Sequence, residues 1–448
     1  MNIILIVSDT LRRDHLGCYG SKSAYTPNID ALARRSVVFD RHYGASYPTM
    51  PARADFLLGK WTFTYMTWEP FPVADVPISE RLAASGYQTV GVVDTPFYTV
   101  KGMGYDRGFN HFFDMHSQLP LGTPSGAPPP LFPRPRNTEY DYCAPATFVQ
   151  AEQCLDRIHE GPFFLLVDTW DPHEPWDPPA WYVRRYRSNY DGRVVSPPYG
   201  YLNEWEGSED DLALARACYM AEITMVDRWL GRLLERVDSL GIGDDTAILF
   251  TTDHGYYFGE HGIFGKLVRE REIRGAPMWL RSPLYEEVVH LPLILHVPGV
   301  APRRVNALTS AVDIMPTLAG LAGLRVPEEA VHGRSLLRLA GGEETEGRRF
   351  VVSSLPLVNP GDGLQVVDHR LRKVAVYQPA TITTDRWQLL YSAAGEPLEL
   401  YDLESDPAEN RNVAPQHSSV VAELHRQYVE LLESCGTPAH YLEPRRRL

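Results

Sequence analysis

Ile3-Ile4-Leu5-Ile6-Val7-Ser8-Asp9-Thr10, near the start of the chain, gives the clearest indication of the fold. Its five consecutive apolar residues predict a strand that is buried on both faces, as the strands of parallel sheets are. Similar apolar runs occur at residues 89–93, 163–167, 247–251 and 293–297. Because helix-like amphipathic stretches such as residues 28–35 lie between them, the sequence predicts an α/β fold with a large, mostly parallel sheet and helices on both faces.

The end of the chain has a different pattern. Short β-like runs at residues 349–353, 371–376, 387–391 and 398–403 are followed by a helix-like stretch at 420–432. This pattern predicts a small C-terminal subdomain over residues 342–448, with an antiparallel sheet and a closing helix, packed on a catalytic domain over residues 1–341. Residues 119–136 and 181–209 have no clear period, which is typical of pocket walls or disordered loops.

Composition narrows the class of partner. The chain has 448 residues, 44% of them hydrophobic, and a formal net charge of -14. It can therefore bury a large core, and it offers no basic surface for a nucleic-acid polymer or an anionic membrane. No apolar stretch approaches the roughly 20 residues needed to span a bilayer, and no basic signal-peptide segment precedes the first apolar run. The sequence predicts a cytoplasmic protein.

Three apolar runs end directly in polar residues. Asp9 follows the first run, Asp253 and His254 follow the run at 247–251, and Asp-Thr-Trp-Asp-Pro-His follows the run at 163–167. Ligands of such sheets bind at the carboxyl ends of the strands. Two carboxylates and an imidazole at one edge predict a site for a divalent cation such as Mn²⁺ or Zn²⁺. Taken singly, an Asp after a strand is more often a turn former or a helix cap.

Several segments of the chain read as functional motifs. One is Thr49-Met50-Pro51-Ala52-Arg53. The others are residues 5–12, 16–20, 26–30, 57–60, 171–173, 252–255, 259–262, 265–266, 313–318, 399–403 and 406–407. In content and order they resemble the motifs of the sulfatases and phosphonate monoester hydrolases of the alkaline phosphatase superfamily, whose nucleophile motif is Cys or Ser followed by x-Pro-x-Arg. The chain thus resembles the sulfatase-like branch of this superfamily, and the resemblance implies an ester hydrolase with the α/β fold predicted above.

The resemblance also implies a metal site. One metal ion would be held by four side chains: Asp9, Thr49, Asp253 and His254. Arg53 would hold the nucleophile and the charged oxygens of the ester. A tetrahedral anion under attack gains negative charge, which a metal ion and cationic groups stabilise.

Three further residues are assigned to the substrate by the same resemblance. His173 and Lys266 would contact substrate oxygens, and His261 would assist the leaving group or the nucleophile. The alternative interpretations are a surface ion pair for Lys266, as for Arg53, and core histidines for His173 and His261.

Thr49 departs from the sulfatase pattern. In sulfatases this position is a Cys or Ser that is converted to formylglycine, whereas threonine carries a methyl group on Cβ and is not a precursor of that aldehyde. The mechanism that remains is direct attack by a metal-bound alkoxide, which leaves a covalent ester on the enzyme. Threonine at this place resembles the phosphodiesterases and phosphonoacetate hydrolases of the superfamily, which act on phosphorus.

Two departures concern the metal. Thr10 stands where many arylsulfatases have a second Asp, and an Asp-His pair replaces the Asp-Asn of many sulfatases. Fewer oxygen ligands favour Mn²⁺ or Zn²⁺ over Ca²⁺ or Mg²⁺. Candidate ligands for a second metal do not have the spacing of the two-metal phosphodiesterases, so one ion is predicted; these candidates are Asp168, Asp171, His173 and His261.

A third departure concerns substrate charge. The family's Gly-Lys-Trp-His segment is missing, and Val-Asp-Thr-Pro stands at residues 93–96. Two cationic substrate ligands are thus absent, which favours a less charged ester such as a phosphodiester unless Lys101 substitutes. The insert at residues 267–284 has large apolar residues and could form a lid, an oligomer contact or core.

The predicted function is metal-dependent hydrolysis of phosphate diesters or phosphonate monoesters through a covalent Thr49 intermediate, without formylglycine. Two alternatives stay open: a sulfuric ester hydrolase that uses Thr49 directly, and an inactive sulfatase-like binding protein. The joint presence of the metal and cationic residues argues against the inactive form. The expected partners are a small-molecule ester and further copies of the chain, since related cytoplasmic hydrolases are often oligomeric, with no nucleic-acid polymer and no membrane.

Overall fold

The computed structural model describes residues 1–95, 97–98, 102–115, 138–197, 199–273, 276–359, 363–365, 373–375 and 379–448. Strands are numbered here along the chain. Within the described residues the central sheet has eight strands: β1 (Asn2–Ser8), β2 (Val37–Tyr43), β3 (Gln88–Val93), β4 (His111–Asp114), β5 (Phe163–Thr169), β7 (Thr246–Thr251), β12 (His290–His296) and β13 (Arg303–Ser310). Their order across the sheet is β13-β2-β12-β7-β1-β5-β3-β4.

Most neighbouring strands of this sheet are parallel, as predicted. β1 lies between β5 and β7 and is parallel to both, and β3 is parallel to β5 and β4. β12, the run predicted at residues 293–297, is antiparallel to both of its neighbours, β7 and β2. A continuous apolar run predicts burial on two faces but not strand direction, so the sequence did not reveal this reversal.

Helices cover both faces of the sheet. One face packs against α1 (Pro27–Arg34), α4 (Cys143–Ile158) and α6 (Glu209–Ser239), and the other against α2 (Thr49–Leu58), α3 (Ile78–Ala84) and α8 (Ile314–Leu321). Successive residues of β1 lie alternately in the two cores. Ile4 and Ile6 pack on the side of α1, α4 and α6, and Leu5 and Val7 pack on the side of α2, α3 and α8. This two-sided burial is the physical reason why the first strand is apolar throughout.

The C-terminal part forms a small antiparallel sheet with a helix against it, as predicted. Its strands pair in the order β14 (Val351–Ser353), β17 (Ala380–Thr383), β18 (Trp387–Tyr391) and β19 (Glu399–Asp402). The run predicted at residues 371–376 is not part of this sheet; its residues 373–375 form a separate strand pair with residues 363–365. α10 (Ser418–Ser434) packs on β17 and β18, and α11 (Ala439–Arg445) follows it. The boundary between residues 341 and 342 stays a prediction.

The remaining elements are short. They are the strands β6 (Gly200–Tyr201), β8 (Tyr257–Phe258), β9 (Ile263–Gly265), β10 (Val268–Ile273), β11 (Ala276–Arg281), β15 (Gly363–Gln365) and β16 (Lys373–Ala375), and the helices α5 (Ala180–Val183), α7 (Glu286–Val289) and α9 (Leu337–Gly341). The insert at residues 267–284 contains the antiparallel pair β10-β11. Residues 119–136 lie outside the described part of the chain. Among the helices that are described, none combines the length and the apolarity needed to cross a bilayer.

Candidate active site

The polar residues that follow β1 and β7 meet at one edge of the central sheet. One carboxylate oxygen each of Asp9 and Asp253 and one ring nitrogen of His254 lie within 4.8 Å of one another. All three side chains are buried. They meet because β1 and β7 are parallel neighbours whose carboxyl ends lie at the same edge. The structure therefore brings together three of the four predicted metal ligands.

The donor atoms of this group fit a divalent cation. Nδ1 of His254 lies 3.0 Å from the carbonyl oxygen of Gly255, so this nitrogen carries the proton and Nε2 has a lone pair. His254 Nε2 is buried and has no hydrogen-bond partner among the described residues, whereas Asp9 Oδ2 lies 2.9 Å from Arg53 Nη2 as its ion-pair partner. Burial lowers the pKa of His254 to about 4, so the imidazole is neutral at physiological pH. A neutral ring oriented through its other nitrogen is the usual form of a metal-ligating histidine.

Thr10 orients both carboxylates without adding a charge. Its hydroxyl donates to Asp9 Oδ1 at 2.6 Å, and its backbone N–H donates to Asp253 Oδ1 at 3.0 Å. The φ angle of Thr10 is 62°, a left-handed conformation that costs energy in a β-branched residue and persists where the surroundings fix it. Thr10 therefore supports the candidate ligands from a position where a second Asp would have added an oxygen ligand.

The two carboxylates have different electrostatic environments. Burial and the neighbouring Asp253 raise the pKa of Asp9, against the opposing effect of Arg53. Burial also opposes ionisation of Asp253, but His254 and Arg53 outweigh it and hold the pKa of Asp253 below its ordinary value. The raised pKa of Asp9 means that its negative charge is not fully compensated. A further positive charge close to Asp9 would therefore be stabilised.

Thr49 is the first residue of α2, at the end of the helix where backbone N–H groups lack intrahelical acceptors. The partial positive charge of this end favours an anion. Arg53 lies four residues later, so it is on the same face of the helix, and its Nη1 donates to the carbonyl oxygen of Thr49 at 3.2 Å. The same Nη1 lies 2.5 Å from Asp253 Oδ2. The x-Pro-x-Arg spacing thus links the predicted nucleophile to the candidate metal ligands.

Asp168 is the principal partner of Arg53. Nε of Arg53 donates to Asp168 Oδ2 at 2.8 Å, and Nη2 donates to Asp168 Oδ1 at 2.7 Å. The hydroxyls of Tyr98 and Thr95 donate to the same carboxylate at 2.6 and 2.8 Å. Burial would lower the pKa of Arg53, but Asp168 and the other nearby carboxylates raise it well above its ordinary value. The sequence identified Asp168 only as a candidate for a second metal and did not reveal this pairing.

Lys266, the residue after β9, contacts Thr10, which lies beside the candidate metal ligands. Its Nζ donates to the hydroxyl of Thr10 at 3.3 Å and lies 3.5 Å from Glu174 Oε1. Burial raises the pKa of Glu174 above its ordinary value, although the nearby Lys266 opposes the rise. The sequence offered no signal for Glu174, because it lies one residue beyond the matching Asp-Pro-His motif.

His173 lies beside Lys266 in a neutral form. Its Nδ1 faces the carbonyl oxygen of Glu174, and its ring stacks on Trp170 with 3.6 Å between centroids. Burial and the charge of Lys266 lower the pKa of His173. Nε2 of a neutral ring protonated on Nδ1 accepts a proton or a hydrogen bond, so His173 is not suited to donating to an anionic substrate oxygen.

His261 lies in a different group. Its Nε2 is 3.2 Å from Glu287 Oε2, and its ring stacks on Tyr285 at 3.8 Å. Together with Glu287 and Glu409 it forms a second cluster of ligand-type atoms within 4.8 Å of one another. None of the contacts described for His261 reaches the candidate metal ligands. Its assignment to the reaction stays a prediction, without support from these contacts.

The four candidates for a second metal do not come together in the described part of the chain. Asp168 holds Arg53, and Asp171 Oδ2 accepts the backbone N–H of Ala144 at 3.0 Å. At the position of the missing Gly-Lys-Trp-His segment, Asp94 Oδ2 accepts the hydroxyl of Thr147 at 2.8 Å. Lys101, the proposed substitute cation, lies outside the described residues.

The fold and the buried cluster are together typical of a hydrolase of ester bonds that binds a divalent metal ion. The family model described as Sulfatase matches residues 1–324. The chain therefore belongs to the sulfatase family, whose enzymes bind such an ion. This confirms the family resemblance and the class of enzyme predicted from the sequence.

Relatives and solved structures agree with this membership. The chain is 26% identical over 464 residues to a choline-sulfatase of Rhizobium meliloti, covering 92% of this chain and 82% of the relative. It is 25% identical over 521 residues to a multifunctional alkaline phosphatase superfamily protein of Trinickia caryophylli, covering 98% and 97%. The crystal structure of a phosphonate monoester hydrolase of Agrobacterium radiobacter superposes with a TM-score of 0.73 at 24% identity, covering 97% of this chain and 95% of that one. This last likeness confirms the fold.

Proposed function

We propose that this sulfatase-family hydrolase cleaves phosphate diesters or phosphonate monoesters, with the hydroxyl of Thr49 as the nucleophile. The observation that carries the proposal is the threonine at the start of α2, one helical turn from Arg53. Oxidation of threonine at Cβ would give a ketone, because that carbon bears a methyl group, and so an aldehyde cannot form there. The hydroxyl itself is the group available to attack.

A covalent route through a threonine favours phosphorus over sulfur. Thr49 Oγ would form a bond to phosphorus while the leaving oxygen departs with its bonding electrons and gains a proton. Water would then attack the same phosphorus, lose a proton and release Thr49. A sulfated threonine has no aldehyde through which sulfate could be eliminated, so the route used with formylglycine is closed to it.

The residues around Thr49 suit charge development on the ester oxygens. The Arg53 guanidinium is fixed by Asp168 and Asp253, and a charge that is already in place stabilises a transition state without reorganisation. Lys266 supplies a second buried cation. His173, neutral with an acceptor at Nε2, would contact a substrate oxygen that carries a proton.

One divalent ion would be held by Asp9, Asp253 and His254, together with the hydroxyl of Thr49. Mixed oxygen and nitrogen donors favour Mn²⁺ or Zn²⁺ over Ca²⁺ or Mg²⁺. When bound, such an ion lowers the pKa of a coordinated hydroxyl and offsets negative charge on the ester. His254 Nε2 supports this assignment, because it is buried, has no hydrogen-bond partner among the described residues and lies 3.4 Å from Asp253 Oδ2.

The test compares four esters with one leaving group. The protein is loaded with Mn²⁺ or Zn²⁺, and kcat/KM is measured for a nitrophenyl phosphodiester, phosphonate monoester, phosphate monoester and sulfate. We expect the diester or the phosphonate to be hydrolysed fastest. Thr49→Val, which keeps the shape but not the hydroxyl, should lose at least about a thousandfold, and Thr49→Ser, which keeps the hydroxyl, should retain part of the activity.

Other outcomes identify the alternatives. Turnover of the sulfate ester above the phosphorus esters would favour a sulfatase that uses Thr49 directly, a function that the name of the Rhizobium meliloti relative makes worth testing. Full activity of Thr49→Val would show that another group is the nucleophile. An inactive wild type that still binds the metal would favour a binding protein.

A further inference from the structure

The two cationic side chains of the proposed active site each face a buried carboxylate. Asp168, the penultimate residue of β5, holds Arg53 through two hydrogen bonds of 2.8 and 2.7 Å. Glu174, five residues after β5, lies 3.5 Å from Lys266 Nζ. The exposed fractions are 1% for Arg53 and 0% for Asp168, and 5% for Lys266 and 7% for Glu174. Both pairs are therefore shielded from solvent, where charge balance has its largest effect.

These carboxylates neutralise the charge that would otherwise face an anionic substrate. Asp9 and Asp253 carry the negative charges that the divalent ion of the proposed function would offset. Arg53 and Lys266 would then remain as excess positive charge, but Asp168 and Glu174 match them one for one. Within the described residues, the site thus has little positive charge left for a doubly charged ester.

We propose that Asp168 and Glu174 make the active site selective for esters with a single negative charge and against dianions such as phosphate monoesters. This inference rests on the proposed function for the location of the active site. It does not depend on the choice between phosphorus and sulfur, because phosphodiesters, phosphonate monoesters and sulfate monoesters each carry one negative charge. Asp168 and Glu174 act through Arg53 and Lys266, so they are positioning residues.

Asp168 is fixed in place for this role by hydrogen bonds. It accepts them from Arg53, Tyr98 and Thr95. Its two oxygens face the guanidinium in a bidentate pair, which fixes the plane of Arg53. The donors of Arg53 used in this pair, Nε and Nη2, are therefore engaged before any substrate binds.

The test measures selectivity between charges at a constant leaving group. The metal-loaded protein is assayed near pH 8 with nitrophenyl phosphate, a dianion, and methyl nitrophenyl phosphate, a monoanion. We expect the ratio of their kcat/KM values to rise at least about tenfold in Asp168→Asn and in Glu174→Gln, because each variant removes one negative charge close to the substrate. Asp168→Glu, which keeps the charge, should leave the ratio within about threefold of the wild type. Asp385→Asn, at an exposed surface pair with Arg41, controls for net charge.

Binding of inorganic phosphate provides a readout that needs no turnover. Calorimetry near pH 8, where phosphate is mostly a dianion, should show about tenfold tighter binding to Asp168→Asn than to the wild type. An unchanged ratio and unchanged phosphate affinity in both neutral variants would overturn the proposal. If Asp168→Asn fails to fold, Glu174→Gln leaves the Arg53 pair intact and gives the same comparison. If sulfate is the fastest ester, the proposed function fails while charge selectivity is still tested, with nitrophenyl sulfate as the monoanion.

Discussion

Replacement of Arg53 by glutamine tests whether three buried carboxylates depend on one guanidinium. Arg53 lies 2.9 Å from Asp9, 2.7 Å from Asp168 and 2.5 Å from Asp253. Its side chain is 1% exposed and all three partners are 0% exposed. Arg53→Gln therefore leaves three buried negative charges without their common partner.

The expected loss follows from the cost of an uncompensated buried charge. Removing one member of a buried ion pair costs about 3–5 kcal/mol. Unfolding entropy is about 2.1 cal/mol/K per residue, which for 448 residues is about 0.9 kcal/mol/K, so the melting temperature should fall by about 3–5 °C. In metal-loaded protein the ion would balance Asp9 and Asp253, so less than about half of that loss should remain.

The assay is thermal unfolding of Arg53→Gln and wild type, each with a chelator and with excess Mn²⁺. Arg386→Gln, which removes a half-exposed arginine paired with Asp402, controls for the loss of an arginine and should shift the melting temperature by less than about 1 °C. If Arg53→Gln unfolds within about 1 °C of the wild type with chelator present, or if metal does not reduce the difference, the three carboxylates do not depend on Arg53.

Three further predictions concern other parts of the structure. Tyr98→Phe removes the hydroxyl that donates to Asp168 at 2.6 Å, so kcat should fall by about three- to tenfold in steady-state assays while the fold is retained. His261→Ala removes the contact with Glu287, and from this contact alone we expect a lower melting temperature with kcat within about twofold; a loss of kcat above about a hundredfold would support the role in the reaction that the family resemblance implies for His261. Burial raises the pKa of Asp55 to about 7 from 3.8, so the folded state holds a proton that the unfolded chain has lost. The free energy of unfolding should therefore fall as pH rises from about 4 to about 7, by up to about 1.4 kcal/mol per pH unit, and chemical denaturation of Asp55→Asn should show a smaller fall.

The sequence predicted the fold where burial leaves a simple pattern. β1, β3, β5 and β7 are buried on both faces, and each is a continuous apolar run. β2 was missed because Asp40 and Arg41 interrupt its apolar pattern. The direction of β12 was also beyond prediction, because direction depends on how the connection from β7 turns and not on the apolarity of the strand.

The candidate metal ligands could be predicted because they follow strands. A residue within two positions of the end of a buried parallel strand lies at the sheet edge whatever the rest of the chain does, and Asp9 and Asp253 are such residues. Arg53 could be predicted from its spacing to Thr49 within one helix. In each case, local chain geometry determines the position of the side chain.

The pairing of buried carboxylates with Arg53 and Lys266 could not be predicted from the sequence. Asp168 and Arg53 are 115 residues apart in the chain, and no local pattern indicates which cation a carboxylate will face. The same holds for Glu174 and Lys266 and for His261 and Glu287, whose pairing depends on the packing of separate loops. Motifs identify residue types, whereas charge balance is visible only when distant segments are placed side by side.

Mass spectrometry tests whether Thr49 forms a covalent ester with phosphorus. Metal-loaded protein is mixed with excess nitrophenyl phenylphosphonate, quenched in acid at millisecond to second times and digested. We predict that the peptide containing Thr49 gains the mass of one phenylphosphonyl group during turnover, that fragmentation places it on Thr49, and that Thr49→Val shows none. If the wild-type enzyme turns over this ester with no adduct on Thr49 at any time, or with the adduct on another residue, Thr49 is not the nucleophile.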